Sequence, residues 1–129
     1  MDKLIKMIQA YDDFVSTGIV DDSTIEKAEK ELGLVFNNSY RIMIGKFGAV
    51  SVNGHELLGI CDSKRLNIVD ATIKAKKKNP SVLEDMYLIE DIGIDNILVW
   101  QNEKGELFQT VGNGEPEKMD INLIDYIEE

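Results

Sequence analysis

The sequence predicts an α+β domain in which an antiparallel sheet, built from a hairpin and a meander, packs against N-terminal, central and C-terminal helices. Three observations predict it. Helical periodicity and helix stop signals dominate the first 48 residues. The period then switches to two around Asn53-Gly54, the pair best suited to a two-residue hairpin turn. Beyond Pro80 come three short strand-like runs with no helical segment between them, so helices and strands are segregated and do not alternate. At 129 residues and 43% hydrophobic content the chain reads as one domain, 1–129, with enough apolar material for its own core.

Residues 3–16 are expected to form the first helix, because Leu4, Ile8, Tyr11 and Val15 share one stripe and Gly18 ends it. The second helix has an explicit start. Ser23 can cap its first turn, and Glu26 can reach back to the cap's own amide. Ile25, Ala28 and Leu32 then face inward, and Glu26, Lys27, Glu29, Lys30 and Glu31 face water until Gly33 permits a left-handed stop. A third helix runs from about Ser39 to Phe47, capped by Asn37 or Asn38 and stopped by Gly48. In the hairpin Val50-Ser51-Val52 faces His55 to Ile60, with Val52 opposite His55 and Val50 opposite Leu57. The central helix spans about Asn67 to Lys78, and Asn79-Pro80 stops it. Strands are expected at Met86 to Glu90, Ile97 to Gln101 and Glu106 to Val111, the last two joined through Gly105 in a bulged turn. That loop pairs Trp100 with Phe108, an aromatic contact contributing roughly 0.5–1.5 kcal/mol beyond burial. Ile121 to Ile127 form the last helix. Val50, Val52, Leu57, Leu88, Leu98, Trp100 and Phe108 are the expected buried sheet residues.

Apolar runs such as Leu57 to Cys61 are far short of the ~20 residues that span a bilayer. The opening Met1-Asp2-Lys3-Leu4 has none of the order of a signal peptide, and the single Cys61 suits a reducing compartment, so the cytoplasm is the expected location. The formal charge is −10. Residues 1–78 carry 12 Lys/Arg and 11 Asp/Glu, whereas residues 79–129 carry 2 and 13, a net of −11. Such a field repels nucleic acid and anionic membrane and favours encounter with a basic partner. It also serves solubility alone, and composition leaves both readings open.

Ile25-Glu26-Lys27-Ala28-Glu29-Lys30-Glu31-Leu32-Gly33-Leu34 resembles the opening helix of the SUKH superfamily. The Tyr-containing helix Ser39 to Gly48 is similar to its next element, as are Leu57-Leu58-Gly59-Ile60, Ile68 to Thr72, Met86 to Gly93 and Gly105 to Phe108. The resemblance covers about residues 20–128. Two departures, Phe36-Asn37-Asn38-Ser39 where the family usually has Pro and Gly48-Ala49 where it often has paired Gly, bear on the subfamily. The resemblance implies immunity against polymorphic bacterial toxins, many of them nucleases, by direct binding. Fungal relatives of the family regulate cell-wall synthesis and signalling through protein contacts.

The residues themselves offer little chemistry. Cys61 and His55, with Asp62, are the nearest approach to a nucleophile and base, but one extended strand would set them about 20 Å apart. One His and one Cys cannot assemble a tetrahedral zinc site. Glu90, Asp91 and Asp95 match no calcium loop, and Gly93 and Gly112-Asn113-Gly114 lack the Lys-Ser/Thr of a phosphate cradle. Lys74, Lys76, Lys77 and Lys78 complement the negative end of their helix and lack neighbouring stacking groups for nucleic acid. The expectation is therefore a protein that is not an enzyme, uses no metal or cofactor, and is a monomer or weak homodimer. The remaining candidate site is the carboxylate set Glu84, Asp85, Glu90, Asp91, Asp95, Glu103 and Glu106, either a solvated face or a surface for a basic toxin domain. Three functions compete: toxin immunity, a regulatory or scaffold domain with several weaker protein partners, and an unrecognised enzyme.

Overall fold

A computed structural model describes residues 2–129. The chain runs α1 (Lys3–Gln9), β1 (Val15–Ser16), α2 (Asp22–Leu32), α3 (Asn38–Phe47), β2 (Val50–Val52), β3 (His55–Leu57), α4 (Ile68–Lys78), β4 (Tyr87–Asp91), β5 (Ile97–Gln101), β6 (Leu107–Val111), β7 (Glu117–Lys118) and α5 (Leu123–Glu128). The described residues form an α+β fold with five helices and two antiparallel sheets, ordered β1-β2-β3 and β4-β5-β6-β7. One core joins them, drawn from Ile5 and Ile8 of α1, Ile25 of α2, Tyr40, Met43 and Ile44 of α3, Ile68 of α4, Tyr126 and Ile127 of α5, and the inner faces of both sheets.

The hairpin forms in the expected register, Val52 opposite His55 and Val50 opposite Leu57. Asn53 and Gly54 take φ of 49° and 78°, the handedness a two-residue turn between twisted strands requires. Trp100 pairs with Phe108, and its indole donates to Thr110 Oγ1 at 3.0 Å, so a fully buried polar edge is satisfied. Leu98 and Phe108, expected to be buried, are only half-buried. Leu98 sits in a row with Asp91 and Thr110 near the open end of the sheet, and Phe108 faces the short edge strand at Lys118.

The N-terminal reading needs correction. The first helix stops at Gln9 instead of Ser16, and Val15–Ser16 add an edge strand to the hairpin. Two contacts hold the chain there. Phe14 packs edge-on against Phe47 with centroids 4.8 Å apart, and the Asp13 carboxylate accepts the Asn53 and Gly54 amides at 2.9 and 3.3 Å. The second helix is capped by Asp21 and not Ser23. Asp21 accepts the Thr24 amide at 2.9 Å and also the Ser23 and Thr24 hydroxyls. Glu29 does not simply face water, since it accepts the Phe36 amide at 2.9 Å and lies 3.7 Å from Arg41.

The hairpin and meander also form two sheets, where the sequence predicted one. The third strand ends at Leu57, short of Ile60, because Gly59 presses backbone to backbone on Gly48. A Cβ on Gly59 would overlap the Gly48 carbonyl. A bulge between Leu88 and Glu90 interrupts β4. At this edge of the sheet two β4 backbone groups bond outside it: Leu88 N–H to the buried Thr72 hydroxyl at 3.0 Å, and Ile89 C=O to Leu58 N–H at 2.8 Å. The last helix begins at Leu123, two residues later than expected, with Asn122 capping Asp125 N–H. No helix among the described residues is long and apolar enough to cross a membrane.

Candidate interaction surface

The seven candidate carboxylates do not share one face. Glu84 and Asp85 precede β4, while Glu103 and Glu106 flank the β5–β6 turn, and the pairing of Tyr87 with Gln101 brings both pairs to one end of the meander. Asp91 and Asp95 lie at the other end, four residue steps along β4 and so roughly 13 Å away. The first end is partly neutralised. Glu106 is 3.0 Å from Lys118 Nζ and accepts from Asn102 at 2.9 Å, and those two partners hold its carboxyl below the usual range. Lys76 donates to the Glu84 carbonyl at 2.9 Å; partial burial lowers its pKa, against the pull of Asp85 and Glu84. Thus Lys76, expected to serve only the helix end, also ties that helix to the chain before β4.

Glu90 belongs to neither end. It is 5% exposed and cannot meet an external partner, which removes it from the candidate surface. Its Oε1 accepts from Tyr126 Oη at 2.5 Å and from His55 Nδ1 at 2.9 Å, and its Oε2 accepts the Glu56 amide at 2.8 Å. One carboxylate therefore links β3, β4 and α5 at the seam where the two sheets fail to pair directly. Burial and this bond push the Tyr126 hydroxyl well above its ordinary range. The only sequence signal was a Glu closing the apolar run Met86 to Ile89.

Two other tyrosines were missed as structural donors. Tyr40 donates to the Leu58 carbonyl at 2.6 Å, and Tyr87 donates to Gln101 Oε1 at 2.7 Å while accepting the Asn37 amide at 2.9 Å. Burial raises the pKa of both. Every buried side-chain polar atom among the described residues has a partner.

The remaining candidates are engaged separately. His55 is committed to Glu90, while Cys61 Sγ contacts the Ser63 carbonyl at 3.7 Å. The extended span assumed between them is absent, since the strand ends at Leu57. Glu90 points inward while Asp91 accepts the Gly93 amide at 2.9 Å, and among the described residues no group of three His, Cys, Asp or Glu is placed to hold a metal ion. The Arg65 guanidinium is spent on Glu56 through two bonds of 3.0 and 3.2 Å, which lower the Glu56 pKa. What remains for a partner is Asp91 and Asp95 at one end, and Glu84, Asp85, Glu103 and the half-buried Glu106 at the other.

A family model of the SUKH group, described as SMI1-KNR4 cell-wall, matches residues 1–128. No curated protein matches the chain.

Proposed function

This chain belongs to the SUKH family, and from that membership we propose that it is an immunity protein that binds and neutralises a cognate basic toxin domain by direct contact. In this reading it acts in the cytoplasm as a non-enzymatic binder, without metal, cofactor, membrane or nucleic acid. The observation that carries it is the net charge of −11 over residues 79–129, much of it on turns of a hydrogen-bonded meander. Carboxylates fixed on a rigid scaffold match the Arg/Lys groups with which a nuclease holds phosphates, and they raise encounter rate and specificity above all. The sole imidazole supports the same reading, since its Nδ1 is bound to Glu90 inside the fold. Co-expression with a toxin domain encoded immediately upstream tests it. Survival of the host together with a one-to-one complex is expected; a toxin that kills despite folded protein refutes it.

A second reading has its own support. The matched family is described by a cell-wall role, which favours a regulatory or scaffold protein with several weaker protein partners. A gene neighbourhood without a toxin domain, together with multiple moderate-affinity partners, distinguishes that case.

A further inference from the structure

We propose that, of the two acidic ends, the β4–β5 end is the docking face, and that it fits a basic protein surface presenting an apolar residue beside an Arg or Lys. This rests on the partner-binding reading and specifies where and with what chemistry it occurs. Ile92 N–H donates to the Ile97 carbonyl at 3.1 Å, and Ile97 pairs with Val111. Ile97 and Val111 thus form a cross-strand pair, and Ile92, just past the end of β4, is bonded beside it. Beyond the pair Ile94 caps the turn. Ile94 is 64% exposed, Val111 54% and Ile92 37%, so three β-branched side chains lie uncovered around the half-buried Ile97. Scattered apolar residues are ordinary on a surface, but a contiguous set is a mark of an interface.

The turn that presents them is fixed. Ile97 N–H donates to Ile94 C=O at 3.1 Å, and Asp95 and Asn96 both sit at φ 55°, the left-handed pair of a tight hairpin turn. A preformed knob loses little entropy on docking. Next to Val111 lies a groove of about 350 Å³, lined by Gln109, Val111, Gly114, Glu115, Pro116 and Glu117. Its chemistry suits a long cationic side chain, whose stem can lie on Val111 and Pro116 while its head meets Glu115 and Glu117. Asp91 and Asp95 add two further carboxylates around the knob. Cations nearby are already engaged, Arg65 with Glu56 and Lys118 with Glu106. A second copy of this chain is a poor occupant, because a two-fold contact would set the same carboxylates against each other.

The test is a titration of the full, isotope-labelled chain followed by amide chemical shifts, with a capped peptide of alternating leucine and arginine as probe. Peptides alternating serine with arginine and leucine with glutamate are the controls. The leucine–arginine peptide should shift amides from Ile92 to Ile97 and from Val111 to Glu117. It should bind Ile94→Ser/Val111→Ser about tenfold more weakly, thermal melting having shown the variant folded. Shifts confined to Glu84, Glu103 and Glu106, an equal response to the serine–arginine peptide, or no response overturns the proposal. A parallel assay separates it from the immunity reading. If wild type protects against the neighbouring toxin and Ile94→Ser/Val111→Ser protects equally, immunity stands and this face is wrong. If wild type does not protect, immunity fails and the peptide map alone decides the face.

Discussion

Replacing Glu90 should destabilise this protein more than replacing any exposed carboxylate, and the size of the loss follows from its three bonds. In Glu90→Ala the Tyr126 hydroxyl, the His55 ring N–H and the Glu56 amide lose their common acceptor at a site where the carboxylate is only 6% exposed. An orphaned buried donor costs about 1–3 kcal/mol, and water entering the vacated space recovers part of it, so a net loss of about 3–5 kcal/mol is expected. That is a large share of the ~5–15 kcal/mol that holds a domain folded. Glu90→Gln keeps the shape but turns an amide N–H₂ toward a donor, for an expected loss of about 1–2 kcal/mol. Tyr126→Phe should cost a similar amount, and the two should couple by about 1 kcal/mol because they share one bond. Urea denaturation followed by the fluorescence of buried Trp100 measures this as a lower midpoint at unchanged slope. A Glu90→Ala midpoint within ~0.5 kcal/mol of wild type, or strict additivity of Glu90→Gln with Tyr126→Phe, would refute the assignment of this carboxylate as the link between the two sheets.

Gly59→Ala should lose about 3 kcal/mol or more, since its Cβ collides with the Gly48 backbone, whereas Gly54→Ala meets no atom and should suffer only its left-handed φ; thermal melts of the pair compare collision with strain. Tyr40, Tyr87 and Tyr126 hold their protons more tightly folded than unfolded. Their contribution is therefore complete below the unfolded value of about 10 and declines as pH rises beyond it. The urea midpoint should be level from about pH 7 to 9 and fall above ~10 as phenolate absorbance grows; a level midpoint up to about pH 11 contradicts it. Cys61→Ala should leave stability and partner neutralisation unchanged, and His55→Gln should lower stability while a folded sample still neutralises; loss of protection by both folded variants would point to chemistry at these residues.

Local signals carried much of the fold. Asn53-Gly54 set the hairpin register, Gly105 set the Trp100–Phe108 pair, and Gly33 and Gly48 end their helices at the expected places. The errors lie where a distant residue decides. Nothing within residues 3–16 reveals that Asp13 is held by the hairpin turn 40 positions on, or that Phe14 seats on Phe47. Asp21, with an ionised oxygen accepting three bonds, captured the cap from a neighbouring Ser of equal local suitability. Glu90 is buried because His55 and Tyr126 arrive from 35 and 36 positions away. The charge excess of residues 79–129 was legible as a sum, but its division between two ends requires the meander register. That division changes the design of any charge experiment, since neutralising Glu90 along with its neighbours would perturb the sheet seam as well as the surface.

The most direct test is therefore the association rate with a cognate toxin domain, measured at low and high salt for wild type, Asp91→Asn/Asp95→Asn and the exposed pair Lys77→Glu/Lys78→Glu. The expected result is a one-to-one complex whose association slows with salt and slows severalfold on losing the two aspartates, with a smaller change in dissociation. The lysine reversal should not slow it. No complex contradicts neutralisation by binding; a rate that ignores the aspartates but falls on lysine reversal contradicts the acidic surface as the point of encounter.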